Sequence, residues 1–167
     1  MEAEVTKEYD KYFQQFAFMY FDGLVSWPWL KAQGIAESGL RHDAVSPVGA
    51  RGIMQIMPGT AKDIAKHFQV VPNLDDPKTN IMFGCHYLRQ MWGIFKKEEG
   101  LERLRFAFGA YNAGPGNIIK AQELTDRPTV WEAVRAMLPE VTGGSNAKQT
   151  TDYVRRIEAI RLGMIEA

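Results

Sequence analysis

Apolar residues recur at helical spacing along almost all of this chain, and a persuasive two-residue alternation is missing except briefly around Arg51 to Met57. That pattern restricts the 167 residues to a mainly α fold, because a half-buried strand needs an apolar side chain at every second position. A first amphipathic segment covers Thr6 to Phe21. Ser26 stands where it would cap a second helix, with Trp27 and Pro28 in the first turn and Gly39 as the stop. A loop or short hairpin rich in glycine, serine and proline follows. Further helices are predicted from Pro58 to Phe68, and from Asp76 and Pro77 to a break at Gly100. Others follow from Leu101 to Ala110, Pro115 to Leu124, Thr129 to Leu138 and Asn146 to Ile165. Ile81, Leu88, Met91 or Trp92, and Phe95 share one helical face, and Tyr153, Ile157, Ile160 and Met164 form a second stripe. No repeat, low-complexity stretch or linker interrupts the series, so residues 1–167 read as a single domain with a core of its own.

Twenty basic residues balance twenty acidic ones, which argues against a polyanion-binding surface and against nucleic acid as a partner. The one cysteine, Cys85, excludes an intramolecular disulfide and, between Ile81 and Leu88 on a helix, reads as a small core residue. His42, His67 and His86 lack paired metal-ligand spacing and read as solvated or capping side chains. With no phosphate-binding loop or serine elbow, the chain calls for no metal and no cofactor. No apolar run is long enough to span a bilayer, and the opening Met1-Glu2-Ala3-Glu4-Val5 lacks the basic-then-apolar order of an export signal.

Glu37 closes the second helix, just ahead of the glycine-punctuated loop. A carboxyl group held there beside apolar neighbours would have its charged form disfavoured, its pKa raised, and a proton to donate near neutral pH. The bland alternative is a solvated surface glutamate. The helix dipole disfavours a carboxylate at a C-terminus, which speaks against a purely stabilising role. No second carboxylate is well placed as a partner. Asp43 and Asp63 read as solvated, Asp76 reads as a cap, and Asp75 lies beside it near a helix start.

Several separated blocks then occur in one order. Glu37-Ser38, Gly49-Ala50-Arg51-Gly52-Ile53-Met54-Gln55-Ile56-Met57-Pro58-Gly59-Thr60-Ala61 and Ala110-Tyr111-Asn112-Ala113-Gly114-Pro115-Gly116 resemble the successive signatures of soluble-type lytic transglycosylases. These are lysozyme-fold enzymes that cut the glycan of peptidoglycan. Asn80, Gly84 and Tyr87-Leu88 resemble the helix that lies between the family's blocks, and the resemblance runs from Trp29 to Val154. It implies a lysozyme-like helical domain of the goose-type or transglycosylase kind. It also implies that Glu37 is the general acid at the bond between N-acetylmuramic acid and N-acetylglucosamine. The substrate's own acetamido oxygen would replace the second carboxylate that most glycosidases need. The product would be a 1,6-anhydro sugar.

The same resemblance nominates Ser38, Met54, Gln55, Tyr111, Asn112, Gln149 and Tyr153 as substrate-binding residues. Each has a structural reading beside the functional one. Ser38 contacts substrate or bonds back to its helix; Met54 and Gln55 line a cleft or pack; Tyr111 and Tyr153 reach the site or belong to the core; Asn112 shapes a turn. Phe106, Phe108, Trp92 and Trp131 read as core. One position departs from the family's pattern: Gln149 stands where relatives carry glutamate, with Asp152 one helical turn away. Two rival functions remain on the same residues, a hydrolytic muramidase of goose-lysozyme type and a non-catalytic glycan-binding module of an envelope or phage-tail assembly. The partner in each case is peptidoglycan glycan. The place of action is the periplasm or cell envelope, or else a phage virion.

Overall fold

A computed structural model describes residues 5–166; the acidic opening Met1-Glu2-Ala3-Glu4 lies outside the described residues. Among them there are eight helices: α1 (Asp10–Phe21), α2 (Trp27–Ser38), α3 (Pro58–Phe68), α4 (Pro77–Ile94), α5 (Gly100–Ala113), α6 (Pro115–Gln122), α7 (Trp131–Thr142) and α8 (Gly144–Glu166). The chain divides into two compact units. One runs as far as His86 and takes in the end of α8 from Ile160; the other holds Tyr87 to Ala159.

In the first unit, α1 buries Phe13, Phe16 and Phe21. The Lys31 ammonium of α2, only 5% exposed, meets the Asp10 carboxylate of α1 at 2.5 Å. A charge buried this deeply is tolerable only with such a partner. Gly34 is small where α2 meets its surroundings: a Cβ there would lie 3.1 Å from Leu40 and Phe13 side chains and 3.2 Å from Ile53. Ser26 takes the N-cap position with extended backbone, but its hydroxyl makes no capping bond. Pro28 in the first turn costs nothing there, since a first-turn N–H has no helical partner. The hairpin expected near Arg51 is reduced to two isolated antiparallel bridges, Val45 with Arg51 and Arg51 with Ile56. Asp76 caps α4, its Oδ2 accepting the Thr79 N–H at 2.8 Å.

His86 corrects the reading of the histidines as solvated or capping. Its ring packs 5.4 Å from Tyr20, 5.5 Å from His67 and 5.1 Å from Phe68, and its buried Nε2 has no hydrogen-bond partner. Burial, then the neighbouring His67, lowers its pKa. Burial likewise pushes the Tyr20 phenol up to about 12. Cys85 is fully buried, and desolvation raises its thiol pKa, as suits a core residue.

In the second unit, Phe95, Phe106 and Trp131 form a chain of rings with centroids 5.3 and 5.5 Å apart. Gly109 makes room for the indole: a Cβ there would lie 2.3 Å from Trp131. The Trp131 N–H donates to Glu102 Oε2 at 2.7 Å, which satisfies an otherwise unpaired donor at the start of α7. That bond, not Thr129, marks where the helix begins. Gly100 does not end α4, which stops at Ile94; it opens α5 with φ of +52°. Residues 95–99 form the connection, because Phe95 turns into the core while Lys96 and Lys97 stay in water. Glycine accommodates the left-handed step between extended Glu99 and the helix. α5 also runs three residues further than the apolar run alone indicates, so Tyr111, Asn112 and Ala113 form its last turn. The Arg103 guanidinium covers Trp92 at 3.3 Å from the ring centroid.

Candidate functional site

Glu37 lies in the last turn of α2 with a half-buried side chain. Gly39 ends the helix in left-handed conformation, φ +64°, its N–H returned to Ile35 O at 2.8 Å. Beside Glu37, the Ser38 hydroxyl is buried and donates to Ile53 O at 2.8 Å, and it accepts the Arg41 N–H at 3.1 Å. The alternative back-bond to Gly34 O is longer, at 3.4 Å. Ser38 therefore ties the acid-bearing helix end to the block that follows it in sequence.

Asn80 of α4 pins that block from the other side. Its Oδ1 accepts the Met54 N–H at 2.8 Å, and its Nδ2 donates to Arg51 O at 2.9 Å and Leu74 O at 3.0 Å. Gly52, φ +77°, is where the amide passes: a Cβ there would lie 2.1 Å from Asn80 Nδ2. Gly84 does the same for Met54, whose Cβ would be 2.5 Å from a Cβ at that glycine. Met54 has no exposed surface, so its visible part is to hold the block from within. Gln55 adopts φ +48° and is half-buried; its Nε2 donates to Gly52 O at 3.0 Å and Ala44 O at 3.3 Å. Its side-chain carbonyl is left for another donor. Of the other carboxylates near this block, Asp43 is exposed, Asp75 pairs with Arg51 at 2.9 Å and Asp76 caps α4.

The remaining nominated residues belong to the second unit. Tyr111 is half-buried, its ring 5.1 Å from that of Tyr87 and inclined by 59°. Asn112 and Gln149 do come together: with Asn117, Asn146 and Thr150 they line a polar cavity of about 270 Å³. The Thr150 hydroxyl lies 2.8 Å from Asn112 Oδ1 and 3.1 Å from Asn146 O, so its single proton serves one or the other. Gln149 is exposed, whereas Tyr153 is 9% exposed and sits deeper. Asp152 is engaged by Lys148 one turn back on α8. Thr150 and Asn146 were not singled out in the sequence; the polar run Ser145 to Thr151, at helical spacing, was the available signal.

No helix among the described residues is long and apolar enough to cross a membrane. The family model described as the transglycosylase SLT domain matches residues 24–134, and the match runs through both units. Over 129 residues the chain is 36% identical to membrane-bound lytic murein transglycosylase F of Haemophilus influenzae (strain PittGG), covering 73% of this chain and 25% of that one. The crystal structure of the 70 kDa soluble lytic transglycosylase from Escherichia coli aligns with TM-score 0.72 at 29% identity, over 94% of this chain and 24% of that one. An inactive mutant of lytic transglycosylase Slt from Pseudomonas aeruginosa aligns with TM-score 0.76 at 26% identity, over 98% and 25%. The chain thus spans about a quarter of the length of these relatives. The helical fold is shared with lysozyme-like transglycosylase structures. With more than half of its residues inside the family match, among them Glu37, the pinned Gly52-to-Gln55 block and Asn112, this chain belongs to the transglycosylase SLT domain family.

Proposed function

We propose that this chain is a peptidoglycan lytic transglycosylase that cleaves the β-1,4 bond between N-acetylmuramic acid and N-acetylglucosamine, with Glu37 as its only acid and base. The observation that carries this reading is a half-buried carboxyl group at a helix end whose following backbone is fixed by Ser38 and Asn80, within a chain of the transglycosylase family. An alkoxide leaves poorly, so the acid gives its proton to the glycosidic oxygen as the bond breaks. The 2-acetamido oxygen of the muramic sugar attacks the anomeric carbon in place of a protein carboxylate. Glu37, now ionised, accepts the proton of the C6 hydroxyl, and that oxygen closes on C1 as the acetamido oxygen–C1 bond breaks and the acetamido group is restored. The sugar ends as a 1,6-anhydro ring, and no water is consumed.

Several features support a lone acid. The nearby carboxylates Asp75 and Asp76 are engaged in an ion pair and a cap, and Asp43 faces water. Ser38, Gln55, Tyr111, Asn112, Gln149 and Tyr153 are the proposed substrate contacts, with Met54 holding the block beneath Gln55. Gln149 keeps donor and acceptor atoms but brings no charge to an intermediate. The two units act as one functional domain in this reading, which the continuous family match supports. Action on cell-wall glycan would call for a place in the periplasm or cell envelope, or else in a phage virion. Mass analysis of muropeptides released from purified sacculi tests the proposal. Anhydro-ended fragments from the wild-type protein and none from Glu37→Gln are expected. Reducing ends instead would identify a hydrolytic muramidase, and unchanged release by the variant would remove Glu37 from the chemistry.

A further inference from the structure

Thr150 sits on α8 and is only 3% exposed, yet its hydroxyl reaches 38 positions back along the chain to the Asn112 amide of α5. Its proton has two acceptors within reach, Asn112 Oδ1 at 2.8 Å and Asn146 O at 3.1 Å. The shorter contact has the length of a good O–H···O bond. The Asn146 carbonyl stands in the α8 ladder, where the N–H four residues on is its regular partner. The proton therefore goes to Asn112. A β-branched side chain inside a helix has few χ1 choices, so the hydroxyl is held in place by its own backbone.

An amide held by its oxygen has its nitrogen turned the other way. Asn112 lines the polar cavity of about 270 Å³, and its Nδ2 donates to no acceptor among the described residues. Asn117 and Asn146 line the same cavity in the opposite sense. Asn117 Nδ2 is spent on Ala113 O at 2.8 Å, and Asn146 Nδ2 on Thr142 O at 3.1 Å. Both are local ties to the carbonyl four residues back. Asn112 is fixed instead from a different helix and by its other end. Without the Thr150 hydroxyl its amide is free to turn over, because the two ends are nearly alike in size and shape.

We propose that Thr150 is a positioning residue for glycan cleavage: its hydroxyl sets which end of the Asn112 amide faces the substrate, so that position 112 offers an N–H donor to a sugar oxygen. Thr150 is too deeply buried to touch the glycan and acts through Asn112. This rests on the reading of the chain as a glycan-cleaving enzyme with Asn112 among its substrate contacts. A donor fixed in advance loses less conformational freedom on binding than one that must first be turned. An amide free to flip would also present its carbonyl, with which a sugar carbonyl or ether oxygen makes no bond.

Turnover of soluble peptidoglycan strands by the full chain tests this. Thr150→Val keeps the shape and removes the hydroxyl; it should lower kcat/KM about tenfold, and Thr150→Ser should retain most of the wild-type value. In an Asn112→Ala background, Thr150→Val should cost nothing more, since the two side chains act as one unit. In isotope-labelled protein the NMR signals of the Asn112 side-chain amide should shift in Thr150→Val and stay in place in Thr150→Ser, with the Asn117 amide unmoved in both. If Thr150→Val does not fold, Asn112→Asp keeps the acceptor for Thr150 and removes the donor, and its kcat/KM should match that of Asn112→Ala. Unchanged kcat/KM in Thr150→Val, an equal further loss in the Asn112→Ala background, or wild-type rates for Asn112→Asp overturns the proposal. So does an Asn112 amide signal indifferent to the Thr150 hydroxyl. A wild-type protein that releases no anhydro-ended fragments would sink the cleavage reading instead, and the amide signals would still decide whether Thr150 orients Asn112.

Discussion

The Arg51 to Gln55 block of the first unit and the Asn112–Gln149 face of the second are both polar, yet they are built in opposite ways. In the block, the polar groups are tied down: Asn80 spends three hydrogen bonds on main-chain atoms, Ser38 bonds to Ile53 O, and the Gln55 amide bonds to two carbonyls. Gly52 lets the Asn80 amide, and Gly84 the Met54 side chain, approach within distances a side chain would forbid. On the other face a cavity stays open, Gln149 projects into water and Asn112 holds one bond to Thr150. A tied-down network fixes geometry, which a proton donor beside it would need. An open polar face leaves hydrogen-bonding capacity for a sugar. Under the proposed function, the contrast fits a positioning role for one region and a recognition role for the other.

The largest effect should come from the acid itself. Glu37→Gln should cut turnover on sacculi about a thousandfold, the scale of a lost general acid, while glycan pull-down is retained. Retained turnover would break the positioning half of the comparison. Next, Gly52→Ala forces a Cβ onto the Asn80 amide at a left-handed position. It should lower stability by about 3 kcal/mol in denaturant melts, the scale of a clash in a packed site. A loss below about 0.5 kcal/mol would mean that the block yields easily and is not a rigid support.

On the receiving side the effects should be smaller. Gln149→Glu restores the residue of the family pattern, and turnover should rise roughly tenfold if a charge there stabilises the intermediate. No change would leave position 149 as a hydrogen-bonding residue only. Tyr111→Phe should lower turnover by about tenfold, the equivalent of one useful hydrogen bond, and unchanged kinetics would reduce the ring to its packing against Tyr87. The smallest effect concerns His86, outside both regions. Its folded pKa lies below the ordinary 6.5, so the unfolded chain takes up the proton first. Stability linked to it is complete above that value and declines as pH falls below it. Replacing His86 by Phe should flatten the fall in melting temperature between about pH 7.5 and about pH 5, and an unchanged slope would exclude this residue as its source.

Helix identity was legible because periodicity and proline or glycine boundaries act over a few residues. The α2 span, the α3 span and the Asp76 cap follow directly from Ser26, Pro28, Gly39, Pro58 and Asp76–Pro77. The role of Gly100 was misread, since a glycine after an apolar stripe signals a stop equally well whether the next helix begins five residues on or at the glycine itself. His86 escaped because its surroundings come from α1 and α3, far away in sequence. Among the candidate site residues, Glu37 and Tyr111 are nominated by their motifs. The hydrogen bond from Thr150 to Asn112 spans 38 positions and left no local trace.

By itself, then, the order of residues determined a helical chain of the transglycosylase family with one candidate acid at a helix end. Those properties rest on short-range periodicity and on motifs that survive as written text. Only the tertiary structure decided that Asn80 pins Arg51 and Met54, that Met54 lies wholly inside, and that Glu98 is buried against the Gln122 amide. Burial and hydrogen-bond satisfaction depend on which distant segments the packed chain brings together, and no local pattern encodes that.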